Sequence, residues 1–470
     1  MEIRRLIDFR LLLLPVLAIL GASANPSAKK LREVYSWKAL EFAFPSLEAR
    51  EAAVISGEFI PGAPVPIDVD LYSGGSSPIN FNNKSSLSKC TKIVKTSEHR
   101  SSTRDVLFVT IPRFQDGVPA TLGYVTDAKS PEGNPLIAPY PNWTWQRAGG
   151  TCSGISSVYR IQIDRCGRLW VMDTGKVGEN QACPPQLLVF SLITNELLHR
   201  YVFPRNQYTD ASLYVTPVVD TRDSACHETY VYIADVTGFG LIVYDHANSR
   251  SWKITNNLFY PYPPYGSFNI NGETFDLMDG ILGLALGPIR PDGDRILYFH
   301  SLASRVESWV PTSIIRNSSI FENHTDGAAR SFRAFSNEKS SQSAAQAMDK
   351  NGILFFGLLS DTAIGCWNSR DFTEFGGRNI EKVAIDRETL QFPSGMKIVT
   401  PSHGRQEFWT ITVSFQKVMT GSLSPSQTNF RIHAAYVEEL VRGTKCDVIM
   451  DLICFFFCYV PNKTNGDKSF

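Results

Sequence analysis

The chain has 470 residues, 43% of them hydrophobic, and 46 lysine and arginine residues balance 46 aspartate and glutamate residues. A formal net charge of zero argues against nucleic acid as the main partner, because phosphate binding draws on an excess of basic side chains. Length alone suggests about three domains, but a repeat that runs through the chain overrides that expectation.

Residues 1–24 read as a secretory signal. Arg4, Arg5 and Arg10 make a basic start, Leu11 to Leu20 a short apolar core, and Ala22-Ser23-Ala24 a cleavage site that leaves a mature chain beginning near Asn25. The alternative is a membrane anchor, but the apolar run is about half the length that a bilayer span needs. Secretion sets the reading of the nine cysteines: Cys90, Cys152, Cys166, Cys183, Cys226, Cys366, Cys446, Cys454 and Cys458. In an oxidising compartment they are disulfide partners rather than metal ligands, and none has zinc-type spacing with histidine. An odd count leaves at least one free or intermolecular. Five sequons, at Asn83, Asn142, Asn317, Asn323 and Asn462, fit a glycosylated secreted chain.

Leu31 to Phe44 suits strand or helix by pattern; in a closed ring of sheets an N-terminal strand completes the last sheet and removes an open edge. Glu48 to Ser56 reads as a loop or short helix. Strands follow near 67–70, 106–111 and 120–125, interrupted by a long polar insertion, Ser73 to Thr103. From Val158 onward the chain reads as short strands in groups of four: 158–163, 169–172, 187–190 and 197–203; 215–219, 230–234, 241–244 and 251–254; 282–286, 296–300, 306–310 and 332–335; 344–348, 353–358, 363–367 and 382–385. The last group has 396–399, 408–413 and 429–436. Tight polar turns such as Asp164-Arg165-Cys166-Gly167 and Asp349-Lys350-Asn351-Gly352 join the first two strands of a group.

An apolar–aromatic pair recurs in the second strand of each group, with the aromatic residue at 108, 170, 232, 298, 355 and 409; the spacings are 62, 62, 66, 57 and 54. Six four-stranded units at a period of about 60 residues predict an all-β fold, a six-bladed β-propeller of antiparallel blades closed by the N-terminal strand. The rival, two separate β-sandwiches, does not give six matched aromatic positions. The domain reading is therefore signal peptide 1–24, propeller 25–446 and an atypical tail 447–470. Val448 to Val460 in that tail is apolar but too short, and too interrupted by Asp451, to span a membrane.

Several segments resemble the yellow / major royal jelly protein family of insects. They include Pro112-Arg113-Phe114, Pro139-Tyr140-Pro141-Asn142-Trp143 and Cys166-Gly167-Arg168-Leu169-Trp170-Val171-Met172-Asp173-Thr174-Gly175. Phe275-Asp276-Leu277-Met278-Asp279-Gly280 and Leu390-Gln391-Phe392-Pro393-Ser394-Gly395-Met396-Lys397 match as well. The resemblance covers about residues 31–446 and favours the yellow branch. It implies a secreted six-bladed propeller linked to cuticle and melanin pigmentation. Some members of the family convert dopachrome, and some salivary members bind biogenic amines in the central channel. The Ser73–Thr103 insertion and the tail depart from the family pattern.

In a propeller the expected ligand site is the channel mouth formed by the starts of the innermost strands and the loops joining second to third strands. That geometry collects Arg113, Asp173, Asp235, Phe239, Asp279, Gln342, Ser343 and Ser360. An aromatic ring, an amide and a carboxylate together suit a catechol or indole amine. Against this, Asp173 and Asp235 occupy equivalent repeat positions and suit loops held by accepted backbone N–H bonds.

Dopachrome conversion needs a proton acceptor and donor, with no cofactor, metal or nucleotide. His300 follows a strand and is either channel-facing or structural. No catalytic residue is assigned, and no nucleophile elbow or phosphate-cradling loop is present. A calcium-dependent hydrolase would draw on Asp68, Asp276 and Asp279, but the inner strands of the last two blades offer Gln342, Gln346 and Ser394 in place of acids. Cys166 and Cys226 lie in the first turns of neighbouring blades and pair if their Cα atoms come within about 7 Å; Cys166 with Cys183, or other partners for both, are the alternatives. The leading reading is a secreted protein that binds or isomerises a small catecholic compound. The alternative is a non-catalytic extracellular binder of biogenic amines or a structural protein.

Overall fold

A computed structural model describes residues 31–74, 105–146, 152–401 and 403–447. The signal segment, most of the polar insertion with Asn83 and Cys90, and the tail from 448 with Cys454, Cys458 and Asn462 lie outside the described residues. The fold is a six-bladed β-propeller. Blade one is Asp68–Tyr72, Val106–Thr110, Leu122–Lys129 and Pro135–Pro139. Blade two is Val158–Ile163, Arg168–Asp173, Gln186–Ser191 and Leu197–Val202, and blade three is Tyr214–Thr221, Thr229–Asp235, Gly240–Asp245 and Arg250–Thr255. Blade four is Ile281–Leu286, Ile296–Ser301, Val306–Pro311 and Arg333–Glu338, and blade five is Gln346–Met348, Ile353–Leu358, Ala363–Asn368 and Ile380–Ile385. Blade six is Pro393–Val399, Glu407–Val413 and Phe430–Tyr436, and its fourth strand is N-terminal: Arg32–Trp37 pairs antiparallel with Phe430–Tyr436.

Strand periodicity explains the aromatic repeat. Side chains of a strand alternate between its two faces, so the second strand of each blade feeds two different interfaces. Leu169 and Val171 pack between blades one and two, while Trp170 and Met172 pack between blades two and three. The same alternation puts Phe108, Tyr232, Tyr298, Phe355 and Trp409 each into a separate hydrophobic cluster, so every interface between neighbouring blades holds one. Five of the six rings are buried and Tyr298 is half-buried.

The chain departs from the sequence reading in its connections. Glu41–Phe42 adds a short parallel strand to the edge of blade one, whereas Leu47–Ser56, a helix capped by Ser46, is one of the two readings expected over 48–56. Between blades three and four, Ser267–Ile270 and Glu273–Asp276 form a hairpin. Its turn, Asn271-Gly272, has both residues at positive φ, which this residue pair adopts at least cost.

Three disulfides join Cys152 to Cys183, Cys166 to Cys226, and Cys366 to Cys446. Cys166 and Cys226, with Cα atoms 6.6 Å apart, tie the first turns of blades two and three and close a loop of 60 residues. Replacing both by serine is expected to lower the unfolding free energy by about 2–4 kcal/mol, because the open loop gives the unfolded chain more freedom. A shift in the denaturant midpoint measures this. An unchanged midpoint would mean that the bonds from Arg168 to Cys226 O and Thr229 already lock the two turns.

Candidate functional site

Each innermost strand has one edge facing the channel, and side chains from the neighbouring strand satisfy it. Asp68 and Asp70 of blade one accept the Ile161 and Ile163 amides of blade two, at 3.1 and 2.7 Å. Gln162 accepts the Val219 amide, Thr216 donates to Leu282 O, and Gln346 donates to Gly283 O. The alternation that sends Val69 and Leu71 into the core sends both aspartates to the pore.

A cavity of about 150 Å³ lies among these strands, towards the face that carries the turns between first and second strands. Its charged lining is Asp68, Asp70, Arg160, Arg295 and Lys397. Lys397 grips both oxygens of Asp68 at 2.8 and 2.9 Å. Gly395 permits this geometry: a Cβ there would lie 2.3 Å from Asp68 Oδ1. Among the described residues Asp70 has no cation bonded to it, and burial pushes its carboxyl up to about 7, with Lys397 pulling the other way. Arg160 donates to Thr216 Oγ1 and to the carbonyls of Ala344 and Ser394, which are neutral acceptors. The site thus places a carboxyl pushed up to about 7 in a cavity whose lining also holds Lys397, Arg160 and Arg295.

The opposite end of the channel is crossed by aromatic rings. Phe415 lies 4.6 Å from Phe392, 6.1 Å from Phe275 and 6.4 Å from Phe114, and Phe114 meets Tyr159 edge-on at 5.3 Å. The 267–276 hairpin supplies Phe275 and is fastened across the mouth. Thr420 and Ser422 donate to Glu273, and Asn271 donates to Arg387 O.

The major royal jelly protein family matches residues 156–446, which hold blades two to six. Major royal jelly protein 9 of Apis mellifera is 37% identical over 424 residues, 88% of this chain and 89% of that protein. Protein yellow of Drosophila erecta and of Drosophila melanogaster is 34% identical over 446 residues, 92% of this chain and 74% of each relative. The chain belongs to the major royal jelly protein family.

Within this family propeller, most of the residues assigned to the mouth are engaged by the protein itself. Arg113 is buried, held down to about 10 by desolvation, and donates to five carbonyls: Val118, Pro119, Gln146, Ile155 and Ser156. Asp173 accepts the amides of Ser156, Ser157 and Gly175 and the side chain of Gln186. Asp235 accepts from Ser212, Leu213 and Gly238 and pairs with Lys253 at 3.0 Å. Both carboxylates therefore hold loops, the alternative weighed from their equivalent positions. Gln342 donates to Tyr265 O and Ser267 O and props the hairpin. Ser343 is buried against Ala345 O, Ser360 is exposed in a turn, and Phe239 packs on Tyr260 at 4.9 Å. Asp279 differs: burial pushes its carboxyl up to about 6, and its charge is felt at Tyr159.

His300 is buried inside blade four, 2.9 Å from Glu307, and does not line the cavity. Asp68, Asp276 and Asp279 do not converge; among the described residues no group of three or more His, Cys, Asp or Glu gathers as a metal site. No helix among them is long and apolar enough to cross a membrane. Asn142, Asn317 and Asn323 are all exposed.

Proposed function

We propose that this is a secreted, glycosylated family member whose channel binds and isomerises a small catecholic compound of the dopachrome type, in cuticle pigmentation and melanin chemistry. The observation that carries this reading is Asp70: a carboxyl pushed by burial up to about 7, with no cation bonded to it among the described residues, lining a cavity of about 150 Å³. Cavities of that size admit one six-membered ring of such a guest. A tautomerisation takes a proton from carbon and returns one to oxygen, so a group titrating near neutrality is suited to both halves. Lys397 and Arg160 supply positive charge for a carboxylate or a ring oxygen of the guest. The disulfides fit an oxidising compartment.

The full secreted protein is expected to speed the loss of dopachrome absorbance, with a rate that rises with pH through about 7 as Asp70 deprotonates. Asp70→Asn is expected to lower that rate by about 10²-fold or more and to flatten the pH profile. Equal rates for the two proteins would remove the assignment.

A second reading, a non-catalytic binder of biogenic amines at the aromatic end, is favoured by Asp279 beside Tyr159. There a ring stacks and an ammonium pairs with the carboxylate. Calorimetric titration with dopamine and serotonin separates the two: affinity that Asp279→Asn abolishes and Asp70→Asn spares belongs to this second reading.

A further inference from the structure

Two buried polar atoms on side chains that line the channel cavity have no hydrogen-bond partner among the described residues: Arg160 Nε and Gln346 Oε1. Each of the two residues is only 5% exposed. The Arg160 guanidinium reaches from blade two to three other blades. Its Nη atoms donate to Thr216 Oγ1 at 3.0 Å, Ala344 O at 3.1 Å and Ser394 O at 2.6 Å, all of them uncharged. The carboxylates of the inner strands are taken by other groups. Lys397 holds both oxygens of Asp68, the Leu71 and Ile163 amides hold those of Asp70, and Arg295 and the Tyr232 hydroxyl hold those of Asp220. Asp68 acts on Arg160 through space and not through a bond. Arg160 is thus a buried cation bonded only to neutral acceptors, and burial penalises a charge that no opposite charge meets.

Gln346 offers the complementary half. Its Nε2 donates to Tyr298 O at 3.1 Å and to Gly283 O at 3.4 Å. Two carbonyls at the nitrogen fix which end of the amide is which, so the atom left over is an acceptor. Val218, Leu284, Met348 and Ile398 add apolar wall to the same cavity. A guest that answers all of these has an anionic end for Arg160, a donor for Gln346 and a flat apolar body.

We propose that the cavity selects aromatic carboxylates that carry a further donor, a hydroxyl or a ring N–H, and turns away their decarboxylated amine counterparts. The carboxylate takes the Arg160 Nε–H, a charge-assisted bond to a cation that has no anion bonded to it. The hydroxyl or N–H donates to Gln346 Oε1. An ammonium in the same place meets Arg160 and Lys397 as like charges, while the inner-strand carboxylates are already engaged. This names the guest class of the channel reading and rests on that reading for a guest entering this cavity, but it needs no turnover.

The test titrates the intact protein by calorimetry, at about pH 6, with single-ring probes that differ by one group: 4-hydroxybenzoate, 4-hydroxybenzamide and benzoate. At that pH Asp70, pushed by burial up to about 7, is mostly uncharged. 4-Hydroxybenzoate is expected to bind at least about tenfold more tightly than its neutral amide, and about threefold or more tightly than benzoate, which lacks the hydroxyl. Tyramine is expected not to displace it. Arg160→Met is expected to erase the difference between acid and amide. Gln346→Met, which leaves Arg160 in place, is expected to erase only the difference between 4-hydroxybenzoate and benzoate. On the unaltered protein, equal affinity for acid and amide, displacement by tyramine, or no heat from the acid at millimolar concentration would overturn the proposal, whether or not the variants fold. Dopachrome turnover is read separately. Conversion by a protein that binds acid and amide alike sinks this assignment and leaves the channel reading standing; selective binding of the acid without conversion does the reverse.

Discussion

Glu307→Ala is expected to be among the most destabilising single substitutions in this propeller, costing about 3–5 kcal/mol of unfolding free energy. Glu307 is fully buried in blade four, and its Oε2 receives both His300 Nδ1 and Lys339 Nζ at 2.9 Å. Burial alone would raise its pKa, but Lys339 and His300 outweigh that and hold the carboxyl at about 2. Removing the carboxylate strands an ammonium between the rings of Phe356 and Phe375, each 5.8 Å away, with no counter-ion. A stranded buried charge costs more than the pair contributes, so Glu307→Leu combined with Lys339→Met is expected to recover most of the loss. The denaturant midpoints of the two proteins check this: equal losses would mean that the packing, and not the unpaired charge, sets the cost. The sign with pH follows from the lowered carboxyl. Its contribution is full above the ordinary value of 4.5 and disappears as the pH falls through about 2.

That triad also marks where the sequence stops being legible. His300 could be noticed as a strand-end histidine, but its partners lie 7 and 39 residues further along, in positions that no spacing rule links. The blades were legible because strand alternation and tight turns are local, and because the same aromatic position returns in every unit. At the mouth two readings stay open from the sequence for a related reason. Asp173 and Asp235 stand at strand ends where a ligand group is expected, yet the backbone amides beginning each blade take them up first. The pore-facing Asp70 had a visible signal, the alternation Asp68-Val69-Asp70-Leu71, but the pairing of Asp68 with Lys397 spans 329 residues and shows only in the closed ring. The hairpin that crosses the channel also had a local signal, Asn271-Gly272 between short strands. Only its tethers to Phe415, Thr420 and Ser422 reveal that it lies over the mouth.

The repeat itself yields the other large effect. Trp170→Ala is expected to cost about 3–5 kcal/mol, because a buried indole leaves a cavity that close-packed blades fill only in part. Trp170 is fully buried between blades two and three, and Arg168 lies 4.9 Å over its ring. Its Nε1 donates to Asp164 Oδ2 at 2.9 Å. Trp170→Phe is expected to cost less than the alanine change, since the ring still fills most of the space and Asp164 keeps its 2.6 Å pair with Arg168. The equivalent substitution at Tyr298 should cost less again: its side chain is only half-buried, so less apolar surface and fewer neighbours are lost. Urea or guanidinium midpoints for alanine at positions 170 and 298 test the account directly. If the two variants lost equal stability, the six aromatic positions would matter for something other than the area they bury between blades.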